Sequence, residues 1–372
     1  MTELTAQGGR SNPLAEADVV STLRAARATP TDLWNDSADA DELAASIAIG
    51  AVGATCNPVI ALTTLRKHAD VWEPRLRELA RQNPTASNSD IGWLAVEELS
   101  TDAARLLEAT FVQHHGRNGR VSVQTDPRLF RNAEALIAQA EHLSSLAPNI
   151  IVKIPATQVG IEAMREATFR GVSVNATVSF TVAQAVAVGE AIEDGLTRRE
   201  AAGLDVSMMG PVCTIMGGRL DDWLRVSAEQ SGILIDPGYY EWAGVAALKR
   251  AYQIFVDRRL RTRILSAAFR NHMQWSELIG GDLVVSPPFE WQRRINENNL
   301  AATSRIDVPV DERIVNTLYD RLPEFRRAYD NGGMSVEEFE SFGATRRTLR
   351  QFLQAMTELE TYVRDVLVPD PD

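Results

Sequence analysis

Lysine is scarce in this chain of 372 residues: only three of its 38 basic residues are lysines, and the others are arginines. Lys67 lies in a polar segment, and Lys249 lies in a helical pattern. Lys153 alone is flanked by core-type residues, in the β-branched run 149–157, which is typical of a strand buried on both faces. Burial lowers the pKa of an unpaired ammonium group, and a partly neutral lysine is a nucleophile towards carbonyl carbons. The structural alternative is a lysine at a strand end that extends to solvent or pairs with a carboxylate.

Cysteine and histidine are also scarce, which bears on redox and metal chemistry. The two cysteines, Cys56 and Cys213, lie far apart in the sequence, so a disulfide framework is excluded and a reducing cytoplasm is expected. The five histidines show no metal-ligand spacing, so a metal site is not expected. Nothing in the sequence predicts an organic cofactor either.

Signals for export or membrane insertion are lacking as well. The first 30 residues contain no apolar segment typical of a signal peptide, and no apolar stretch is long enough to cross a bilayer. A net charge of −12 disfavours a nucleic-acid-binding surface, although local arginines can still bind phosphate. We therefore expect a cytoplasmic protein with no nucleic-acid or membrane partner. The oligomeric state stays open, a homodimer included.

What the sequence does contain is a regular alternation of strands and helices. Eight strands are predicted, at residues 31–36, 50–57, 121–126, 149–157, 172–177, 206–215, 263–268 and 282–286. Helical patterns separate them, which indicates an α/β fold of the parallel (β/α)8 TIM barrel type. A doubly wound sheet is the alternative, but no strand is followed by a G-x-G-x-x-G motif or a P-loop.

Additional helices are predicted at both ends of this single barrel. Residues 1–30 are expected to form an N-terminal helical extension, with a helix from Leu14 to Ala28. Residues 31–308 are expected to form the barrel, and residues 309–372 are expected to form C-terminal helices packed on it. A long insertion with a helix separates the sixth and seventh strands.

Polar residues interrupt the predicted strands at or near their C-terminal ends. They are Asp36, Asn57, Gln124, Lys153, Asn175, Thr177 and Thr214. In a barrel these ends converge on one mouth, where the active site lies. Singly, each has a structural alternative, such as a helix N-cap for Asp36 or Asn57. Together they offer an amine nucleophile, a carboxylate for proton transfer, and groups that bind a water and a polyol, as a Schiff-base aldol enzyme requires.

Two arginines follow the later strands. Arg219 comes after the sixth strand and Arg270 after the seventh. Arginine binds phosphate through paired hydrogen bonds, and barrels commonly bind phosphate near their last strands. The alternative is that both are ordinary surface arginines.

Six segments resemble the transaldolase family in their order and spacing. They are LWND at 33–36, ATCNP at 54–58, VSVQTDPR at 121–128, IVKIPAT at 151–157, NAT with SF at 175–180, and SAAFRN at 266–271. The resemblance extends from about Thr31 to Leu367, and the segment 343–349 resembles the longer bacterial members. It implies a transferase that acts on sugar phosphates of the pentose phosphate pathway without a cofactor.

The resemblance also implies the catalytic roles. Lys153 would form the Schiff base with a ketose phosphate, and Asp36 would take the proton of its C4 hydroxyl as the C3–C4 bond breaks. Thr177 would hold the water that exchanges protons with the Schiff base. Gln124 stands where most transaldolases have the glutamate that partners this water, and fructose-6-phosphate aldolases have glutamine there.

Substrate-binding roles are implied for five further residues. Asn57 and Asn175 would hydrogen-bond the dihydroxyacetone unit. Thr214 would contact the donor, at a position where the family usually has a serine. Arg219 and Arg270 would bind the phosphate.

Two further departures leave the exact reaction open. Met216 stands where the aldolases have a catalytic tyrosine and the transferases a phenylalanine, and Ala268 replaces a serine that helps to bind the phosphate. The expected function is transfer of a dihydroxyacetone unit from a ketose phosphate to an aldose phosphate. The alternatives are an enzyme similar to fructose-6-phosphate aldolase, a specialised transaldolase with an altered acceptor, and an inactive binding homologue.

Overall fold

Eight parallel strands form a closed barrel in the computed structural model, which describes residues 19–371. The strands are β1 (Asp32–Asn35), β2 (Ala51–Thr55), β3 (Arg120–Gln124), β4 (Ile150–Pro155), β5 (Val174–Thr177), β6 (Val212–Ile215), β7 (Arg263–Ser266) and β8 (Val284–Val285). Each strand pairs with the next in the chain, and β1 closes the barrel by pairing with β8. The predicted (β/α)8 fold is confirmed.

Helices connect the strands and cover the outside of the barrel. The first seven are α1 (Ser21–Ala28), α2 (Ala40–Ala48), α3 (Pro58–Lys67), α4 (Ala69–Gln82), α5 (Asn88–Gln113), α6 (Ala133–Ser145) and α7 (Gln158–Phe169). The others are α8 (Val182–Ala201), α9 (Gly217–Gln230), α10 (Tyr240–Asp257), α11 (Met273–Ser276), α12 (Phe289–Glu297), α13 (Glu312–Arg321), α14 (Pro323–Tyr329) and α15 (Gly343–Leu367). Short 3-10 helices occur at Pro127–Leu129, Pro237–Tyr239 and Val336–Ser341. Within residues 19–371, none of these helices has the length and hydropathy of a membrane span.

The sixth strand differs most from its prediction, because β6 begins at Val212 and not at Val206. The preceding residues form turns. Gly203 has a φ of +73°, and the side chain of Asp205 accepts a hydrogen bond of 2.9 Å from the backbone N–H of Ser207. The predicted N-terminal helix is present as α1, and its part before residue 19 lies outside the described residues.

The barrel interior has a small hydrophobic core of its own, separate from the large core between strands and helices. Trp34, Ile151, Val212 and Leu265 are among its fully buried members. Gly53 makes room for the indole of Trp34, because a Cβ at this position would lie 2.5 Å from the ring. Ile151 of this core precedes Lys153 on β4, and Ala267 of the same core lines the cavity at the C-terminal ends of the strands.

The C-terminal helices pack on the outside of the barrel. α15 lies against α3, α4 and α5, and α13 and α14 lie against α10. The division of the chain at residues 30 and 308 stays a prediction.

Candidate active site

Lys153 lies on the inner face of the barrel, two residues beyond Ile151 of the interior core. It is 5% exposed, and within the described residues its Nζ donates a single hydrogen bond, of 3.4 Å, to the carbonyl oxygen of Cys56. Burial lowers the pKa of Lys153. The carboxylate of Asp36 opposes this shift, and the guanidinium of Arg219 adds to it. The amine is therefore weakly hydrogen-bonded and easier to deprotonate than a surface lysine.

Lys153 lies in one row across the strands with Gln124 on β3 and Asn175 on β5, its register partners. Asn175 donates to Oγ of Ser122 at 3.0 Å and accepts from Oγ1 of Thr214 at 2.8 Å, so both ends of its amide are oriented. Oε1 of Gln124 is buried and has no hydrogen-bond partner among the described residues. Such an unsatisfied acceptor is rare, and it marks a place where a water or a ligand can donate.

Asp36 and Asn57 follow β1 and β2. The hydroxyl of Thr55 donates to Oδ1 of Asp36. Oδ1 of Asn57 accepts from the backbone N–H groups of Val59 and Ile60 at 2.9 and 3.1 Å, so Asn57 is the N-cap of α3. This role occupies only the side-chain oxygen, and Nδ2 of Asn57 stays available to a ligand.

A cavity of about 200 Å³ opens at the C-terminal ends of the strands. Seven of the nine predicted site residues line it: Asp36, Asn57, Lys153, Thr177, Thr214, Arg219 and Arg270. The other two, Gln124 and Asn175, are buried beside Lys153 in the strand row. Met216, Phe269 and Phe352 contribute apolar wall. The fold thus brings all nine residues to one mouth of the barrel.

Arg219, in the first turn of α9, is held by the C-terminal helix α15. Its Nη1 donates to Oγ1 of Thr348 at 3.1 Å, and its guanidinium lies 5.4 Å from the centre of the Phe352 ring. Burial, with a smaller contribution from the charge of Arg270, lowers the pKa of Arg219 to about 10. The side chain therefore remains a cation at neutral pH.

Arg270 lies in the loop after β7. This loop packs closely against the start of α9. Nε and Nη2 of Arg270 donate to Oδ2 of Asp222 at 3.0 and 2.8 Å, and its backbone N–H donates to Oε1 of Gln274. Ala268 has a φ of +63°, and its carbonyl oxygen would lie 2.0 Å from a Cβ at Gly218. Glycine is therefore required at that position, and this close approach places both arginines on the same cavity.

Comparison with known proteins identifies the family of the chain. The family model for "Transaldolase/Fructose-6-phosphate aldolase" matches residues 33–336. The chain belongs to this family. The resemblance to transaldolases that the sequence motifs indicate is thereby confirmed.

Several transaldolases are similar to this family member over different shares of their length. A transaldolase of Thiobacillus denitrificans is 34% identical over 328 residues, which cover 84% of this chain and 86% of the relative. A transaldolase of Mycobacterium leprae is 28% identical over 273 residues, 72% of this chain and 68% of the relative. Transaldolase 2 of Streptomyces avermitilis is 32% identical over 206 residues, and the match spans 55% of each chain, about half the length of that relative.

Thr348 and Phe352 of α15 contribute to the cavity region but are not among the residues predicted from the sequence. Thr348 lies 129 residues beyond Arg219, with which it forms a hydrogen bond. A hydroxyl and an aromatic ring on an amphipathic helix carry no local indication of a site. The only indication in the sequence is the resemblance of residues 343–349 to the longer bacterial transaldolases.

A group of side chains with metal-ligand chemistry lies outside the cavity. Asp39, Asp41 and His68 place ligand atoms within 4.8 Å of one another. Oδ2 of Asp39, however, accepts from Nζ of Lys67 at 2.8 Å and lies 2.7 Å from Nε2 of His68. Burial raises the pKa of Asp39, but the hydrogen bonds from Lys67 and from the Glu42 N–H outweigh burial and lower it to about 2. We assign this cluster to ion pairing.

Proposed function

We propose that this member of the transaldolase family transfers a dihydroxyacetone unit from a ketose phosphate to an aldose phosphate through a Schiff base on Lys153. The observation that supports this proposal most is Lys153 itself, a buried amine with a lowered pKa in a cavity that also holds the carboxylate of Asp36. A neutral amine is needed to add to a ketone, and a carboxylate in the same cavity can move the protons.

In the proposed reaction, the amine of Lys153 adds to the C2 carbonyl of the ketose, and loss of water leaves a protonated imine. Asp36 takes the proton of the C4 hydroxyl as the C3–C4 bond breaks. The aldose leaves, and the electron pair of that bond remains in an enamine on the other three carbons. C3 then attacks the carbonyl carbon of the acceptor, Asp36 returns the proton to the new hydroxyl, and water hydrolyses the imine. The protonated imine is the electron sink, so this chemistry needs no metal or organic cofactor.

The binding residues are proposed to hold the two ends of the substrate. Asn57 and Asn175 would hydrogen-bond the dihydroxyacetone unit, in keeping with the available Nδ2 of Asn57. Thr214 orients Asn175 through their hydrogen bond of 2.8 Å and would also contact the donor. Arg219 and Arg270 would bind the phosphate. We further propose sugar phosphates of the pentose phosphate pathway as substrates and the cytoplasm as the location.

Thr177 and Gln124 are proposed to hold the water that exchanges protons with the Schiff base. Glutamine can bind this water but cannot accept a proton from it. Because fructose-6-phosphate aldolases also have glutamine at this position, an alternative function is release of dihydroxyacetone without transfer. Ala268 favours a second alternative, a transaldolase with a different acceptor, because it offers the phosphate no side-chain hydroxyl.

The test is release of glyceraldehyde 3-phosphate from fructose 6-phosphate, with and without erythrose 4-phosphate. Release that requires the acceptor and forms sedoheptulose 7-phosphate supports the transferase. Release without the acceptor supports the aldolase. If neither mixture releases the product, the proposal fails for this pair of substrates, and other ketose phosphates separate an altered specificity from an inactive binding homologue.

Borohydride reduction in the presence of fructose 6-phosphate tests the nucleophile. The chain has only three lysines, so mass mapping of the reduced peptides distinguishes Lys153 from Lys67 and Lys249. We expect the three-carbon or six-carbon adduct on Lys153 alone. An adduct on either of the other lysines would refute the assignment.

The variant Gln124→Glu tests the role of the water-binding position. A carboxylate can accept a proton from the water, so we expect the ratio of transfer to hydrolytic release to rise. The ratio is measured from the two products in one reaction mixture, with Gln124→Met as the control that removes the hydrogen-bonding group. An unchanged ratio in Gln124→Glu would contradict the proposed role.

A further inference from the structure

A second cavity, of about 320 Å³, adjoins the Lys153 cavity and shares Arg219 and Arg270 with it. It lies between the start of α9, the loop after β7 and the N-terminal half of α15. Its charged lining consists of three arginines, the third being Arg347, and one carboxylate, that of Asp222. The chain as a whole has a net charge of −12, so this concentration of positive charge is a local feature.

The three arginines differ in how they are paired. Arg219 donates to Thr348, and Arg270 forms an ion pair with Asp222 at 2.8 Å. Arg347 makes no hydrogen bond and no ion pair with any residue of the range 19–371. The cavity therefore contains an exposed guanidinium whose donors are all available to a ligand.

The position of Arg347 on α15 explains why it reaches this cavity. The helix residues that line it are Ala344, Arg347, Thr348 and Gln351, which lie on one helical face. Arg346, directly before Arg347, projects from a different face and lines neither cavity. Arg346 is also exposed and without a side-chain partner in the described chain, so it is a matched control for charge on the same helix.

We infer that Arg347 is a third guanidinium of the substrate phosphate site, and that α15 thereby helps the enzyme to select phosphorylated substrates. The inference rests on the proposed function, in which the sugar chain occupies the Lys153 cavity and its phosphate lies between Arg219 and Arg270. That pair forms the boundary between the two cavities, so a dianion bound there faces the second cavity and Arg347. Guanidinium groups suit phosphate because they combine charge with two parallel hydrogen bonds. The Arg347 guanidinium would also supply hydrogen-bond donors to the phosphate that the side chain of Ala268 cannot supply.

The test compares Arg347→Ala with Arg346→Ala. For fructose 6-phosphate, we expect Arg347→Ala to raise KM by roughly tenfold with little change in kcat, the size of one charge-assisted hydrogen bond at a partly exposed site. Binding of inorganic phosphate, measured by calorimetric titration of the protein without substrate, should weaken by a similar factor. Arg346→Ala should leave both quantities within about twofold of the parent protein, because screened surface charge contributes little.

Two further measurements separate phosphate recognition from a structural role. Arg347→Lys keeps the charge but loses the paired geometry, so phosphate binding should be recovered in part. With unphosphorylated fructose as the donor, Arg347→Ala and the parent protein should have equal kcat/KM. A loss with fructose equal to the loss with fructose 6-phosphate would overturn the inference, and so would equal effects of Arg347→Ala and Arg346→Ala.

The titration also distinguishes failure of this inference from failure of the proposed function. If the protein has no aldol activity but its phosphate affinity depends on Arg347, the phosphate site stands and the proposed reaction fails. If the protein is active and its phosphate affinity does not depend on Arg347, the reaction stands and this inference fails.

Discussion

Lys153 is buried and Lys249 is partly buried, and their ammonium groups differ in their partners. Nζ of Lys249, on α10, donates to Oε2 of Glu277 at 3.0 Å and to the carbonyl oxygens of Arg305 and Val308 at 2.8 and 2.5 Å. Nζ of Lys153 donates one hydrogen bond of 3.4 Å. Burial lowers the pKa of both side chains. Both side chains therefore have a desolvated ammonium group. The ammonium group of Lys249 has three hydrogen-bond acceptors, whereas that of Lys153 has one.

This difference distinguishes Lys249, to which we assign a structural role, from Lys153, the proposed nucleophile. Three acceptors use the full donor capacity of the Lys249 ammonium, which favours its charged form and leaves nothing for a ligand. Lys249 lines a hollow of about 870 Å³, whereas Lys153 lines one of about 200 Å³. Unsatisfied hydrogen-bonding capacity, more than burial or cavity size, is therefore the reason for which we propose Lys153 as the reactive amine.

The variant Lys153→Met has the largest expected effect. It removes the nucleophile and keeps an unbranched side chain, so we expect turnover to fall by roughly a thousandfold or more and the borohydride adduct to disappear. The free energy of unfolding in urea should stay equal or rise, because an apolar chain replaces a buried and poorly paired amine. An adduct retained in this variant, or a large loss of stability, would contradict the comparison.

The variant Lys249→Met is expected to have the opposite effect. It removes three hydrogen bonds and leaves Glu277 with Arg305 as its remaining ion-pair partner. The free energy of unfolding should fall by about 2–3 kcal/mol, because the buried carboxylate of Glu277 and two backbone carbonyl oxygens lose their donor. Urea denaturation measures this change. The folded variant should still form the adduct, and loss of the adduct at unchanged stability would reverse the roles of the two lysines.

The variant Gln124→Glu would place a carboxylate beside Lys153, just as Glu277 lies beside Lys249. A carboxylate favours the ammonium form, so the pKa of Lys153 should rise. The pH at which the rate of borohydride trapping is half-maximal should then move upwards by about one unit. Gln124→Met, which adds no charge, should show no upward shift. An unchanged midpoint in Gln124→Glu would mean that burial of the new carboxyl group leaves it neutral, and a downward shift would contradict the prediction.

The smallest effect is expected at the two thiols. Burial raises the pKa of Cys56, whose carbonyl oxygen accepts from Lys153, to about 12, and it raises the pKa of Cys213 to the same value. Both thiols should therefore resist iodoacetamide at pH 8 in the native protein and react after unfolding in urea. Rapid native labelling of Cys56 would show that the surroundings of Lys153 are open to solvent.

The burial of Lys153 can be predicted from its neighbours in the sequence, and the partial burial of Lys249 cannot. The β-branched run 149–157 specifies a buried strand locally, so its lysine is buried with it. Lys249 lies in a helical pattern, between Leu248 and Arg250. Its acceptors are 28, 56 and 59 residues away in the chain, and only the folded protein brings them to Nζ.

The boundaries of β6 show a similar limit at short range. The apolar residues after Val206 are compatible with a strand, but the Asp205 turn and the position of β7 restrict pairing to residues 212–215. Because a strand exists only where a neighbour pairs with it, apolar pattern alone overestimates its length.

The sequence by itself determined the alternation of eight strands with helices, and it determined that the polar residues at the strand ends meet at one mouth. The spacing of apolar residues and the helix-capping residues specify each strand and helix within a few residues of sequence. Closure of the barrel then brings the C-terminal ends of the strands together. Only the tertiary structure decided that α15 reaches Arg219, which forms a hydrogen bond with Thr348 across 129 residues. A contact at that separation depends on how a whole helix packs against a closed barrel, and no local pattern in the chain specifies it.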